Sequence, residues 1–321
     1  MPLDSELKTQ NSKLLVIVGP TASGKTEVAI ELCRLLDGEI VSADSALVYR
    51  GMDIGSAKPT AQEQARAKHH LIDIRNPDEE YSAAQWVQDA TQVIADIRAH
   101  GKQPIIVGGT GFYVNALLKP QLLAGAPQNF PLRKELEEFV AREGVEALHQ
   151  RLAEVDAAAA ARLHPNDVMR VVRAIEVAQY EAAQSENVPV IEEVTGPEYQ
   201  AFALEWPREQ LYERIDKRVD LMLEQGFLQE LESLLKAGYG DTIGLQSLGY
   251  RQMRPVLENS ELLEQGLEEW KRQTRRYAKR QGTWFRHQLD VSWVQAVDDK
   301  GQKRSAAEIA GEIVATFRET L

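Results

Sequence analysis

Short apolar runs alternate with amphipathic stretches over the first third of the chain. Leu14–Val18 is an unbroken apolar run that ends in a glycine-rich turn, and a helical pattern follows over Lys25–Leu36. Residues 39–43 form a second short apolar run, and residues 69–74 suit a third strand. Residues 81–100 predict a long helix with Trp86, Val93 and Ile97 on one face. Residues 104–107 read as another buried strand, again followed by glycines. Short apolar strands separated by helices imply a parallel α/β sheet.

The pattern changes after residue 121. Residues 122–199 carry charged and Ala-rich helical stretches without a convincing buried strand. Residues 201–206 read as a strand again, and from residue 208 the chain is mainly helical, with a short strand over 291–294. The expectation is an α/β core of residues 1–121 and 200–321, interrupted by a helical insertion domain over 122–199.

Composition narrows the picture. The 321 residues are 43% hydrophobic and 27% charged, as in ordinary soluble proteins. No window approaches the roughly 18 unbroken apolar residues of a membrane span. Residues 1–13 are polar and lack the apolar stretch of a signal peptide. A cytoplasmic monomer with no membrane association is expected. Cys33 is the sole cysteine, which excludes an intrachain disulfide and a Cys-based zinc site. The net charge of −12 argues against nucleic acid only if charge is spread evenly. It is not, because Lys271, Arg272, Arg275, Arg276, Lys279 and Arg280 cluster. On a helix they form two adjacent cationic rows. Those rows suit RNA; the alternative is a solvated helix paired with the chain's many acids. Trp284 and Phe285 follow and can stack a base or pack in a core.

The strongest motif is Gly19-Pro20-Thr21-Ala22-Ser23-Gly24-Lys25-Thr26, which fits G-x-x-x-x-G-K-[ST] between a strand and a helix. Glycines let the backbone curl so that its N–H groups face inward, and the helix N-terminus adds positive charge. Lys25 supplies a cation, and the Thr26 hydroxyl can hold Mg²⁺. The expected fold class is therefore a P-loop core, a parallel sheet flanked by helices, plus the helical insertion. ATPases and GTPases usually carry an acid at the end of a later strand. Here the 104–107 strand runs into Gly108-Gly109-Thr110-Gly111 with no carboxylate, so the loop suits a diphosphate that is not part of a nucleotide. Asp44 ends the second strand and should lie near the phosphates, because parallel strands share one carboxyl edge. It can bind Mg²⁺, act as a base, or simply cap a turn.

At this point the motifs resemble one family, the bacterial tRNA dimethylallyltransferases. The resemblance rests on the P-loop, Asp44-Ser45-Ala46-Leu47-Val48-Tyr49, Gly51-Met52-Asp53-Ile54-Gly55 and Ala57-Lys58-Pro59. His69-His70-Leu71-Ile72-Asp73, Gly108-Gly109-Thr110-Gly111-Phe112-Tyr113, His164-Pro165-Asn166-Asp167 and Arg173-Ala174-Ile175-Glu176-Val177 continue the order. Gly249-Tyr250-Arg251-Gln252, the segment Thr274 to Gln281, and Thr283-Trp284-Phe285 complete it. The resemblance implies transfer of a prenyl group from dimethylallyl diphosphate to an adenosine amine beside a tRNA anticodon. It makes Asp44 the general base and assigns Lys25, Thr26, Thr110 and Arg218 to the diphosphate, with Mg²⁺ as cofactor. Asp44, Ser45, Ala46 and Leu47 would line the base pocket beside Thr110. Arg170, Arg173, Arg275, Lys279, Arg280 and Gln281 would contact the tRNA anticodon stem-loop. Met169 departs from the glutamine common before Arg170. Read alone, Arg218 suits a surface salt bridge, and Asp53 and Asp73 suit turns. Rival readings are prenyl transfer to free adenine nucleotides, a small-molecule kinase and a non-catalytic tRNA-binding protein.

Overall fold

The computed structural model describes residues 13–123, 129–183 and 196–319. The signal-peptide question concerns a stretch that lies almost wholly outside the described residues, as do residues 124–128 and 184–195 of the expected insertion.

One unit comprises residues 1–119 and 195–321. Its strands are β1 (Leu14–Val18), β2 (Gly38–Ser42), β3 (His69–His70), β4 (Gln103–Gly108), β5 (Tyr199–Glu205) and β6 (Ser292–Gln295). They form one sheet in the order β3-β2-β4-β1-β5-β6, and the paired strands run parallel. The helices of this unit are α1 (Lys25–Leu36), α2 (Ala61–Arg66), α3 (Ala83–Ala99) and α4 (Gly111–Leu118). The other unit, residues 120–194, holds α5 (Phe130–Glu143), α6 (Val145–Val155), α7 (Ala157–Arg162) and α8 (Val168–Ala183). The first unit resumes with α9 (Arg208–Glu224), α10 (Phe227–Lys236), α11 (Tyr250–Glu258), α12 (Leu263–Gln288) and α13 (Ala306–Glu319).

Both faces of the central strands are covered, which is why β1 is apolar without alternation. Leu15 and Ile17 pack with Val28 and Leu32 of α1 and with Ile309, Ile313 and Phe317 of α13. Leu14, Val16 and Val18 face the opposite layer, with Trp86, Ile94 and Ile97 of α3, Tyr113 of α4 and Phe285 of α12. Each fully buried aliphatic side chain contributes about 1.5–3 kcal/mol. Among the described residues no helix is long and apolar enough to cross a membrane.

Most strand ends shift by one or two residues from expectation, and two elements differ for a clear local reason. The third strand stops at His70, because Leu71 and Asp73 adopt left-handed φ values of 61° and 54°. The long helix starts at Ala83 rather than 81, because Ser82 and Gln85 form a reciprocal capping box. In the helical unit, Leu136, Leu148, Leu152, Val171 and Ile175 form a separate core. Glu176 is buried there and accepts both Arg133 hydrogen bonds, each 2.8 Å.

Candidate active site at the carboxyl edge of the sheet

Parallel pairing brings four strand ends to one edge. The P-loop leaves β1, Asp44 follows β2, Gly109-Thr110 follows β4, and Trp206 leads from β5 into α9. Asp44 and the P-loop are 18 or more residues apart in sequence, so only the sheet joins them.

The P-loop is shaped by where its carbonyls go. Lys25 Nζ donates to Pro20 O at 2.8 Å, Arg214 Nε to Ala22 O at 2.9 Å, and Trp206 Nε1 to Ser23 O at 2.9 Å. These side chains hold carbonyl oxygens that would otherwise repel an anion. Gly24 sits at φ 91°, in the left-handed region glycine tolerates, and hands the chain into α1. The Arg214 guanidinium stacks over the Trp206 ring at 4.3 Å. Neither Arg214 nor Trp206 stood out in the sequence. An arginine two turns beyond a strand carries no local sign of which loop it will meet.

Electrostatics tie the parts together. Burial pulls the Lys25 ammonium down to about 8; the Asp44 charge opposes that shift and the Arg218 charge adds to it. Arg218 is itself lowered by burial, pulled back up by Asp44 and lowered by Arg214. Lys25, Asp44, Arg214 and Arg218 therefore feel one another. They form a cationic cluster with one carboxylate at its side. Tyr277 on α12 is raised by burial and then by Asp44.

The Asp44 loop is held by hydrogen bonds. Asp44 Oδ1 accepts Ala46 N at 3.0 Å, and Thr110 Oγ1 accepts Ser45 N at 2.9 Å. Thr110 N donates to Ala43 O at 3.1 Å. The following turn is locked from behind. Glu230 accepts Asp53 N, Ile54 N and Gly55 N at 2.7–3.0 Å, and also the Tyr250 hydroxyl at 2.6 Å. Buried Lys58 pairs with Asp53 and Asp73 and donates to Tyr49 O. Asp53 and Asp73 thus hold a loop, as their turn character suggested.

The remaining expected residues divide. Thr26 opens α1 beside Lys25 and is partly buried. Arg276, Lys279 and Arg280 are exposed on α12. Arg275 is instead engaged by Asp216 at 2.6 Å and Glu268 at 2.9 Å, and Lys271 pairs with Asp220 at 2.6 Å. Part of the basic helix is therefore the acid-paired surface that its composition also allowed. Phe285 is fully buried, whereas Trp284 is half-buried and packs over Gly111. Gln281, expected at the RNA surface, lies in the interior at 6% exposure. Its position on α12 turns it inward, toward the P-loop and the β4 turn. In the helical unit, Arg170 is exposed beside Asp167 at 3.3 Å, and Arg173 meets Glu176 at 3.3 Å.

The family described as IPP transferase matches residues 47–288. The chain belongs to this family. A tRNA dimethylallyltransferase of Exiguobacterium sibiricum is 50% identical over 288 residues, covering 88% of this chain and 89% of that one. The tRNA dimethylallyltransferase of Acetivibrio thermocellus is 46% identical over 88% of this chain and 91% of that one. The crystal structure of the tRNA isopentenylpyrophosphate transferase from Bacillus halodurans has 40% identity and a TM-score of 0.69, covering 96% and 97% of the two chains. A eukaryotic dimethylallyltransferase captured acting on tRNA gives a TM-score of 0.77 at 27% identity, covering 96% of this chain and 80% of that one.

Proposed function

We propose that this chain, a tRNA dimethylallyltransferase, moves the dimethylallyl group of dimethylallyl diphosphate to the N6 amine of the adenosine 3′-adjacent to the anticodon, releasing diphosphate. The observation that carries this reading is that the parallel sheet brings Asp44 and the P-loop with Lys25 to one edge, where their charges and that of Arg218 influence one another. A cationic cradle for a leaving diphosphate stands beside a carboxylate for an incoming amine.

The exocyclic amine is a poor nucleophile, because its lone pair is delocalised into the ring. Its nitrogen attacks the allylic carbon as the C–O bond breaks. The bonding pair leaves with the diphosphate, and the Asp44 carboxylate takes the N6 proton. P-loop amides, Lys25 and Arg218 stabilise the charge that grows on the leaving group. Among the described residues no three His, Cys, Asp or Glu side chains cluster as a metal cage. The Thr26 hydroxyl, partly buried at the start of α1 beside Lys25, would hold Mg²⁺. The ion would supply further charge neutralisation for the leaving group. Thr110 orients the Asp44 loop and borders the base.

The adenosine enters as an extruded base, at a cost of a few kcal/mol that contacts to the surrounding RNA must offset. Ser45, Ala46 and Leu47 border its pocket. Exposed Lys279 and Arg280 in the core and Arg170 and Arg173 in the helical unit are the phosphate contacts. The enzyme acts as a cytoplasmic monomer. The test is incubation with unmodified tRNA, labelled dimethylallyl diphosphate and Mg²⁺, followed by mapping of the labelled nucleotide, with AMP as a parallel acceptor. Label on AMP but not on tRNA would overturn the RNA substrate.

A further inference from the structure

Gln281 joins the two halves of the site. Its Oε1 accepts the Thr21 N–H of the P-loop at 2.9 Å, and its Nε2 donates to Gly109 O at 2.9 Å. Tyr277, one turn earlier on α12, is raised by burial and by the Asp44 charge and lowered by the neighbouring Gln281 amide. The fit is close: a Cβ on Gly109 would lie 2.4 Å from Nε2 and 3.7 Å from Asp44 Oδ2. Thr21 belongs to the diphosphate cradle after β1. Gly109 stands beside Asp44 and Thr110, where the amine arrives. The sheet alone leaves these turns as separate strand ends with no covalent tie.

We infer that Gln281 is a positioning residue that sets the separation between the bound prenyl diphosphate and the attacking amine, by bridging the P-loop to the β4 turn. The inference rests on the transfer reaction proposed above. A primary amide suits the role because it accepts on one side and donates on the other. Each substrate binds its own half, so loosening the bridge damages alignment more than affinity.

The test compares the wild-type enzyme with Gln281→Ala and Gln281→Glu. For Gln281→Ala, kcat should fall about tenfold or more, because misplacement of about 1 Å costs up to about 10²-fold. Both KM values should stay within about threefold of wild type, as expected when an interaction made only in the transition state is lost. In Gln281→Glu the ionised carboxylate faces the Gly109 carbonyl and cannot donate, whereas the protonated carboxyl can. An ordinary glutamate, with a pKa of about 4.3, stays ionised from pH 8 to 6, but burial against a carbonyl raises this one. Its kcat relative to wild type at the same pH should therefore rise as pH is lowered from 8 to 5. A Gln281→Glu enzyme with wild-type kcat throughout that range overturns the inference, and it does so even if Gln281→Ala fails to fold. A raised tRNA KM with unchanged kcat would make Gln281 an RNA ligand and overturn it too. A wild-type enzyme that transfers nothing would sink the underlying reaction instead, and this inference with it.

Discussion

Lys25 has an ammonium that titrates near working pH. Burial brings it from 10.5 to about 8, with Asp44 holding it up and Arg218 pushing it down. The anionic donor needs the charged form. Half of the free enzyme carries that charge at pH 8, and about one molecule in eleven at pH 9. Affinity for dimethylallyl diphosphate without an RNA acceptor should therefore be flat below pH 7.5. It should then fall about tenfold per pH unit above 8. Bound diphosphate raises the pKa, so kcat should keep its plateau to higher pH than kcat/KM, which reports the free enzyme. Asp44→Asn removes the charge that supports the ammonium, so the alkaline limb should move to lower pH. Lys25→Arg should weaken binding but abolish the limb. The assay is calorimetric titration of the donor between pH 7 and 10. Unfolding gives a second readout. The unfolded chain binds more protons than the folded one between pH 8 and 10.5, so wild-type stability should rise with pH through that window. Lys25→Met should lack that rise. Donor affinity independent of pH up to 10, or a limb unmoved by Asp44→Asn, would refute the argument.

Asp44→Ala should reduce single-turnover prenyl transfer by about two orders of magnitude or more, with RNA affinity by filter binding changed only modestly. Arg214→Ala leaves the Ala22 carbonyl unpaired behind the cradle, a loss of about 1–3 kcal/mol, and should weaken equilibrium donor binding while tRNA affinity holds. At the opposite edge of the sheet, Glu39 is raised by burial, but hydrogen bonds from Lys102 and His70 outweigh this and hold it near 2, below its ordinary 4.5. Its contribution is present above pH 4.5 and is lost as pH falls toward 2. The urea-midpoint gap between wild type and Glu39→Gln should narrow over that window.

The strand–turn–helix around Gly19 to Thr26 was legible in the sequence because its signals are local: an apolar run, glycines, then a helical period. The acid at the end of β2 and the glycines after β4 were legible for the same reason, and a parallel sheet needs no further detail to bring them to one edge. The order of the motifs was enough to mark the family. What the sequence could not determine was which long-range partner each side chain meets. Helix α12 presents a broad cationic face in projection, yet packing against α9 commits Arg275 to Asp216 and leaves Lys279 and Arg280 outside. The same packing turns Gln281 inward to the P-loop, 260 residues away in sequence. Arg214 and Trp206 reach the cradle only because β5 pairs beside β1. Strand order and helix rotation are set by burial summed over the whole core, so a local pattern can show that a residue has chemistry to offer without showing what it will face.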